Sequence, residues 1–208
     1  RLNVTSSVAL QTIDYGYNIR GWLTGINDPE NMGNDLFAMN LFYNDTIGIG
    51  KLNSGPQFNG NISGVKWKSG TETLKGYGYI YDALNRLTGG DFGSGVKGDT
   101  VNQDRYNERC ITYDLNGNIL SLTRSGVDND SYYPYYDSLD YTYSGGNQLQ
   151  NIVDSGDKIR GFIDKNNTCD YRYDLNGNLV KDLNKSIDTI IYIYLNLPWE
   201  VIKDADNK

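Results

Sequence analysis

The sequence predicts an all-β protein built from antiparallel β-hairpin repeats, and three observations support this. The chain has 208 residues, of which 18 are Tyr, 24 are Gly and 25 are Asn. Tyrosine favours strands, whereas glycine and asparagine favour tight turns. Strong helix formers are scarce, since only four of the 26 acidic residues are Glu. The third observation is a short tyrosine-rich motif that recurs along the chain.

The clearest copies of this motif share the letters YDLNGN, at 111–119 and 171–179. Looser copies lie at 15–23, 79–87 and 141–149, and degenerate ones at 59–62 and 192–197, the last with Tyr194 as its second tyrosine. Recurrence of one short unit is typical of repeat architectures. We therefore expect one repeat array over 1–208, an excerpt of a longer protein, with hairpin centres near 21, 60, 85, 117, 147, 177 and 197.

One position of each repeat carries either glycine or asparagine, which both tolerate positive φ. An Asn-Gly pair between strand-like segments is also a strong hairpin signal. The aspartates that precede three of these positions are expected to accept hydrogen bonds from the backbone of the turn. The predicted structural turn residues are Gly21, Asp82, Asn85, Asp114, Gly117, Asn147, Asp174 and Gly177.

A two-residue turn at Asn116–Gly117 would pair Tyr113 with Leu120 and Leu115 with Asn118. One face of this hairpin would then be apolar, with Ile111, Tyr113, Leu115, Leu120 and Leu122. The other would be polar, with Thr112, Asp114, Ser121 and Thr123. Because a lone hairpin is marginal in water, successive hairpins are expected to join into one antiparallel sheet, which curls because strands twist.

Charge and composition argue against several classes of function. The formal net charge of −7 disfavours nucleic acid and anionic membranes as partners. The chain has no histidine, so triads and most zinc sites lack their usual base or ligand. It also has no apolar run long enough for a transmembrane helix. We predict no catalytic residue, no cofactor and a protein that is not an enzyme.

Two alternatives to a purely structural interpretation concern metals and thiols. The segment from Asp114 to Asn118 resembles the start of a calcium loop, but Ile119 and Ser125 stand where that loop needs glycine and a bidentate acid. The turn interpretation is therefore preferred, and no metal is predicted. Cys110 and Cys169 occupy similar slots of repeats that are not adjacent, so we predict free thiols.

A run of tyrosines between 127 and 140, a segment that we interpret as a loop, is the candidate ligand surface. Its members are Tyr132, Tyr133, Tyr135 and Tyr136. Tyrosine rings offer rigid, amphipathic contact area for a sugar or a peptide. The alternative is that these rings pack the sheet, as we expect for the repeat tyrosines.

The repeats resemble the Rhs (rearrangement hotspot) or YD-repeat family, whose unit is a Tyr-x-Tyr-Asp strand, a short turn with glycine, and a strand with Leu or Ile. The segments 82–87, 114–119 and 174–179 fit this pattern, and 18–23, 59–63 and 75–82 are similar to bacterial wall sequences of the Bacteroidetes type. The resemblance covers roughly the whole chain.

The resemblance implies a spiral of hairpins that forms part of a hollow shell. In bacterial members the shell encloses a C-terminal toxin, and related repeats occur in cell-surface adhesion proteins. The cleavage region of the family, Asp-Pro-x-Gly, has no match here. The expected role is thus a wall segment of an encapsulating shell that is secreted or on the cell surface, with the rest of the parent protein and an enclosed toxin as partners. The alternative is a surface module that binds carbohydrate through exposed aromatic rings.

Overall fold

The computed structural model describes residues 12–45, 47, 52, 54–96, 99–101, 104–165 and 168–204. Within these ranges the regular structure is entirely β-strand, and every strand pair is antiparallel, which confirms the all-β, antiparallel part of the predicted fold. None of the described residues belongs to a helix with the length and apolar character needed to cross a membrane. The chain divides into two compact units, 1–107 and 108–208.

The strands of the first unit follow one another in chain order, and each pairs with the next. They are β1 (Tyr15–Tyr17), β2 (Leu23–Ile26), β3 (Phe37–Phe42), β4 (Gly64–Ser69), β5 (Lys75–Tyr81), β6 (Leu87–Val96) and β7 (Asp99–Val101). Short connections join β1 to β2, β4 to β5 and β5 to β6, as tight turns do between antiparallel strands. The connections at 27–36 and 43–63 are longer.

The second unit contains two runs of paired strands. The first is β8 (Glu108–Tyr113), β9 (Ile119–Asp128), β10 (Ser131–Ser144) and β11 (Gln148–Asp154). The second is β12 (Tyr171–Tyr173), β13 (Leu179–Asp182), β14 (Ile187–Tyr192) and β15 (Pro198–Lys203). Within each run every strand again pairs with its successor in the chain.

Aromatic rings supply much of the packing in the first unit. The ring of Tyr77 stacks on Trp67 with centroids 6.0 Å apart and meets Phe92 edge-on at 5.3 Å. Ile47 and Leu74 form a separate buried aliphatic pair. Contacts of this kind between flat rings stabilise a sheet that has few large aliphatic side chains.

The second unit buries carboxylates beside its apolar residues. Asp137, Asp154 and Asp170 are almost inaccessible to solvent. Asp137 pairs with Arg124 at 2.7 Å, whereas Asp154 accepts a hydrogen bond from the backbone N–H of Ser138 at 2.9 Å. Asp170 accepts a similar bond from the backbone of Ile152. These carboxylates therefore hold backbone segments in place, as buried polar groups generally must.

The described residues around 60 do not form the expected hairpin. Gly60 has a φ of +102°, but it lies in the connection between β3 and β4, and the described part of that connection contains no strand. The Asn59 side chain accepts a bond from the backbone N–H of Asn61 at 3.0 Å. The ring of Trp22 covers Gly60 so closely that a Cβ there would lie 3.1 Å from it. The short motif at 59–62 thus makes a local bend just before β4 rather than the reversal of a hairpin.

Candidate functional site

The repeat turns are three-residue loops rather than the expected two-residue turns. In the hairpin of β8 and β9, the N–H of Gly117 donates to the carbonyl of Asp114 at 3.2 Å. The N–H of Asp114 donates to the carbonyl of Asn118 at 2.9 Å and closes the loop. Gly117 has a φ of +90°. This is a type I turn followed by a left-handed residue, the usual three-residue hairpin loop.

The longer loop overturns the predicted register and face of this hairpin. Tyr113 pairs with Ile119 instead of Leu120, and Thr112 pairs with Ser121, so that Leu120 is the extra residue of a bulge. Leu115 lies at the loop tip, 106% exposed, rather than on an apolar face. The polar face is present as expected at one pair, where the hydroxyls of Thr112 and Ser121 are 2.6 Å apart.

Six hairpins share this register, although the loop after Tyr143 has a second residue with positive φ, Gly146 at +83°. The repeat tyrosine pairs with the residue six positions later in Tyr17–Leu23, Tyr81–Leu87, Tyr113–Ile119, Tyr143–Leu149, Tyr173–Leu179 and Tyr192–Pro198. The residue four positions after each tyrosine has positive φ: Gly21, Asn85, Gly117, Asn147, Gly177 and Asn196. The glycine and asparagine positions that the sequence singled out thus all have positive φ in the structure. The last repeat tyrosine is Tyr192 and not Tyr194, which lies in the loop.

Aspartates hold three of these loops. Asp114 accepts hydrogen bonds from the backbone of Asn116 and of Asn118, both at 2.8 Å, and from the Asn118 side chain. Asp174 makes the same set of bonds, and Asp82 makes an equivalent set with Arg86. The side-chain amide of Asn118 and the backbone donors hold the pKa of Asp114 below its ordinary range. The backbone and guanidinium of Arg86 likewise lower the pKa of Asp82.

The calcium alternative for this loop is not supported by the directions of these bonds. Both carboxylate oxygens of Asp114 receive N–H donors, and the Asn118 amide presents its nitrogen to them. Calcium instead requires carboxylate and carbonyl oxygens to point at a common centre. The described residues also contain no group of three acidic or cysteine side chains placed to hold a metal ion.

A tyrosine hydroxyl joins successive hairpins, in a contact that we call the tyrosine hook. Tyr143 donates to the carbonyl of Ile119 at 2.9 Å, and Tyr173 donates to that of Leu149 at 3.0 Å. Further hooks are Tyr192 to Leu179, Tyr81 to Ile62, and Tyr43 to Leu23. In four of the five, the acceptor residue is the one that pairs with the repeat tyrosine of the preceding hairpin. Burial raises the pKa of Tyr81, Tyr143 and Tyr173.

Neighbouring loops are also connected through asparagine side chains. Asn116 and Asn118 both donate from Nδ2 to Oδ1 of Asn147, at 2.9 Å. The same arrangement recurs two hairpins later, where Asn176 and Asn178 donate to Asn196. Asparagine in the left-handed position thus does more than tolerate positive φ, because its side chain accepts bonds from the loop before it.

The tyrosine run lies on a strand, so its assignment to a loop was wrong. The turn is at Asn129–Asp130, where both residues have positive φ, of 46° and 61°. Asp128 pairs with Ser131 directly across it. This is a two-residue hairpin turn, of the kind that was predicted at Asn116–Gly117.

Only two of the four candidate tyrosines in this run present their rings to solvent. Tyr132 is 47% exposed and Tyr135 is 63% exposed. Tyr133 and Tyr136 instead meet edge-on, with centroids 6.4 Å apart. The guanidinium of Arg160 also lies 4.5 Å above the ring of Tyr133, a cation–π contact that occupies that face.

Two further features concern thiols and a surface cleft. Cys110 and Cys169 are both free thiols, as predicted. The first unit also has a cleft of about 420 Å³ beside Arg20, Trp22 and Phe58, which is not among the sites predicted from the sequence. Arg20 stacks on Trp22 at 5.0 Å and donates to the carbonyl of Phe58 at 3.0 Å. The guanidinium of Arg20, the cationic group of the cleft, thus makes its contacts within the protein.

The arrangement of bonds therefore defines a repeated structural interlock, made of loops, hooks and loop-to-loop amide contacts. In the second unit, the loop bonds, the hooks and the amide contacts all join residues of that same unit. Comparison of the chain with family models and with curated proteins gives no match.

Proposed function

We propose that this chain is a non-catalytic wall segment of an Rhs-type encapsulating shell, in a protein that is secreted or carried on the cell surface. The observation that carries the proposal is the equivalence of the six hairpins in pairing, bulge and left-handed turn residue. A wall needs a unit that can be added repeatedly without a change of geometry, and repeats whose contacts are with their neighbours meet that need.

The hooks explain how such a wall resists opening between hairpins. The bond from Tyr173 to Leu149 connects β12 to β11, between which no backbone ladder is formed in the described residues. The N–H of Asp170 adds a backbone bond to the carbonyl of Gln150 at 2.9 Å. Since a sheet with few free edges excludes other chains, an interlock of this kind suits enclosure of a polypeptide.

The turn aspartates support a structural role rather than catalysis. Asp114 and Asp174 have their pKa lowered by the amides and backbone groups of their own loops, which keeps them ionised and bound. A general acid for glycoside hydrolysis needs the opposite, a pKa that is raised towards neutrality. The turn aspartates thus act as supports for the loops.

The gene that encodes the chain provides the test. We expect the reading frame to continue into further Tyr-Asp hairpin repeats and then into a module of unrelated composition, which would be the enclosed toxin. A continuation without any such repeats would contradict the wall proposal. A repeat array that ends without an unrelated module would support the wall proposal but contradict the enclosed toxin.

A second candidate function is carbohydrate binding on the exposed tyrosines of β10. It is favoured by the accessible rings of Tyr132 and Tyr135. The experiment is a glycan array with the Tyr132→Ala, Tyr135→Ala double variant. A control is Tyr194→Ala, which removes an exposed ring from a loop in another part of the second unit. Binding lost only in the double variant supports this function, and a blank array with the wild-type chain contradicts it.

A further inference from the structure

The sequence contains three Asn-Gly pairs, and the side chain of each asparagine is bonded to an asparagine that has positive φ. In every case Nδ2 of the first asparagine donates to Oδ1 of the second. The contacts are Asn59 to Asn85 at 2.5 Å, Asn116 to Asn147 at 2.9 Å and Asn176 to Asn196 at 3.3 Å. A left-handed asparagine thus holds the amide of each Asn-Gly pair.

An Asn-Gly pair is prone to spontaneous deamidation, because glycine has no side chain that hinders ring closure. The backbone nitrogen of the glycine, after it loses its proton to hydroxide, attacks Cγ of the asparagine. An N–Cγ bond forms, the Cγ–Nδ2 bond breaks, and Nδ2 takes up a proton from water and leaves as ammonia. Water then opens the succinimide ring at either carbonyl, which produces aspartate or isoaspartate.

The loop between β8 and β9 restrains both groups that take part in this reaction. Nδ2 of Asn116 donates to Asn147, and the N–H of Gly117 donates to the carbonyl of Asp114 at 3.2 Å. The nitrogen of Gly117 cannot lose its proton without breaking its bond to Asp114. Ring closure also moves Cγ of Asn116 to bonding distance from that nitrogen and expels Nδ2, so the contact with Asn147 is lost as well.

We propose that Asn116 and Asn176 are sites of spontaneous deamidation, and that Asn147 and Asn196 slow the reaction in the folded chain. Both reacting asparagines are exposed, so water and hydroxide reach them. Because two hydrogen bonds have to break first, each site should react about five- to a hundredfold more slowly in the folded chain than in the unfolded one. The inference depends on the amide contacts and not on enclosure, so it can fail separately from the wall proposal.

The two sites provide an internal comparison, since both lie in the sequence Tyr-Asp-Leu-Asn-Gly-Asn. Their rates should therefore be equal in the unfolded chain. In the folded chain the bonds of the two glycine N–H groups are similar, at 3.2 and 3.1 Å. The amide contacts differ, because the 3.3 Å bond of Asn176 lies outside the usual range of about 2.7–3.2 Å, whereas the 2.9 Å bond of Asn116 lies within it. We expect Asn176 to react faster than Asn116 in the folded chain.

Deamidation would break the contact between neighbouring loops. A carboxylate at position 116 only accepts hydrogen bonds, and the Oδ1 of Asn147 that it would face is also an acceptor. If the Asn147 amide turned to donate from Nδ2, it would lose the bond that it accepts from Asn118. Each reaction should therefore weaken the connection between two hairpins.

Peptide mapping by mass spectrometry tests the proposal, since exchange of NH2 for OH changes the mass of the peptide. The wild-type chain is incubated in mildly alkaline buffer, folded and in guanidinium chloride. Asn147→Gly removes the acceptor and keeps a residue suited to positive φ, as Gly117 and Gly177 show. We expect this variant to react about two- to tenfold faster at Asn116 and at an unchanged rate at Asn176. Asn196→Gly should have the opposite pattern.

The comparison of folded and unfolded wild-type chains does not depend on any variant. Equal rates in the two states, or no reaction at either site in guanidinium chloride, would overturn the proposal. Circular dichroism verifies that each variant is folded, and either variant alone suffices to test the contact. A folded variant that leaves its own site unchanged, or that accelerates both sites alike, would show that the left-handed asparagines do not control the reaction.

Discussion

The hydroxyl of Tyr173 lies 3.0 Å from the carbonyl oxygen of Leu149, one hairpin earlier in the chain. Leu149 is itself the residue that pairs with Tyr143, the repeat tyrosine of its own hairpin. Each repeat tyrosine of this kind therefore has two roles. Its backbone pairs across its own hairpin, and its hydroxyl donates a hydrogen bond to the preceding hairpin. Four substitutions or titrations test different parts of this arrangement.

Removal of the hook should destabilise the second unit without loss of packing. Tyr173→Phe keeps the ring and deletes the donor, so we expect a loss of about 0.5–1.5 kcal/mol in the free energy of unfolding. Urea unfolding followed by circular dichroism measures the change. Tyr135→Phe is the matched control, since its ring is largely exposed and should give no change. Equal losses in the two variants would show that the hook does not contribute.

The left-handed turn position should tolerate asparagine and resist alanine. Gly117 has a φ of +90°, and a Cβ there would meet no atom within 4 Å, so that any cost comes from the backbone alone. We expect Gly117→Ala to lose roughly 1–2 kcal/mol in the free energy of unfolding.

Two controls distinguish the cost of positive φ from the steric cost of an added side chain at this turn. Gly117→Asn should lose much less than Gly117→Ala, because asparagine occupies the same position in three other hairpins. Gly145→Ala adds a methyl group in similarly open space at a glycine without positive φ. If Gly117→Ala is as stable as Gly145→Ala, the turn assignment at this position is contradicted.

Stability should fall in acid because the turn aspartates titrate. The loop donors lower the pKa of Asp114 and Asp174 below the ordinary value of 3.8. A carboxyl group with a lowered pKa in the folded state contributes stability above its unfolded pKa, and this is lost as the pH falls through the folded value. We expect urea midpoints to decline below about pH 4. The Asp114→Asn, Asp174→Asn variant should show a smaller decline. An equal decline would contradict the view that these two carboxyl groups cause the loss of stability in acid.

Stability should also fall in alkali, through a half-buried phenol. Burial, together with the nearby carboxylates of Asp182 and Asp170, raises the pKa of Tyr171 from 10.0 to about 12. Because the folded state holds this proton more tightly than the unfolded chain, the contribution is complete below pH 10 and is lost as the pH rises towards 12. Absorbance at the tyrosinate band during a pH titration should show one late group that is absent in Tyr171→Phe. A wild-type titration without that late group would contradict the assignment.

The sequence predicts the strands and the turn positions because both depend on local chemistry. Asn116–Gly117 and the Gly/Asn alternation at 117 and 147 reveal where the backbone reverses, since few residues adopt positive φ. The predicted register failed because loop length was inferred from the Asn-Gly pair alone. Asp114, by accepting bonds from Asn116 and Asn118, stabilises a loop one residue longer.

The contacts between repeats could not be predicted from one hairpin. The hook joins Tyr143 to Ile119, 24 residues apart, and only the assembled sheet brings them together. The regular spacing of Tyr143 and Tyr173 is a sequence feature from which the hook could be predicted. Such a prediction also requires knowledge of which strands are neighbours. The covering of Tyr133 likewise depends on the distant residue Arg160.

Protease protection in the full-length parent protein tests the wall proposal most directly. The polypeptide that follows the repeats is digested in the native parent, in the parent unfolded by urea, and as an isolated segment that serves as the control. We expect the segment to be cut at once when isolated, to be protected in the native parent, and to become accessible only above the urea midpoint of the repeats. Equal cleavage of the segment in the native parent and in isolation would contradict enclosure.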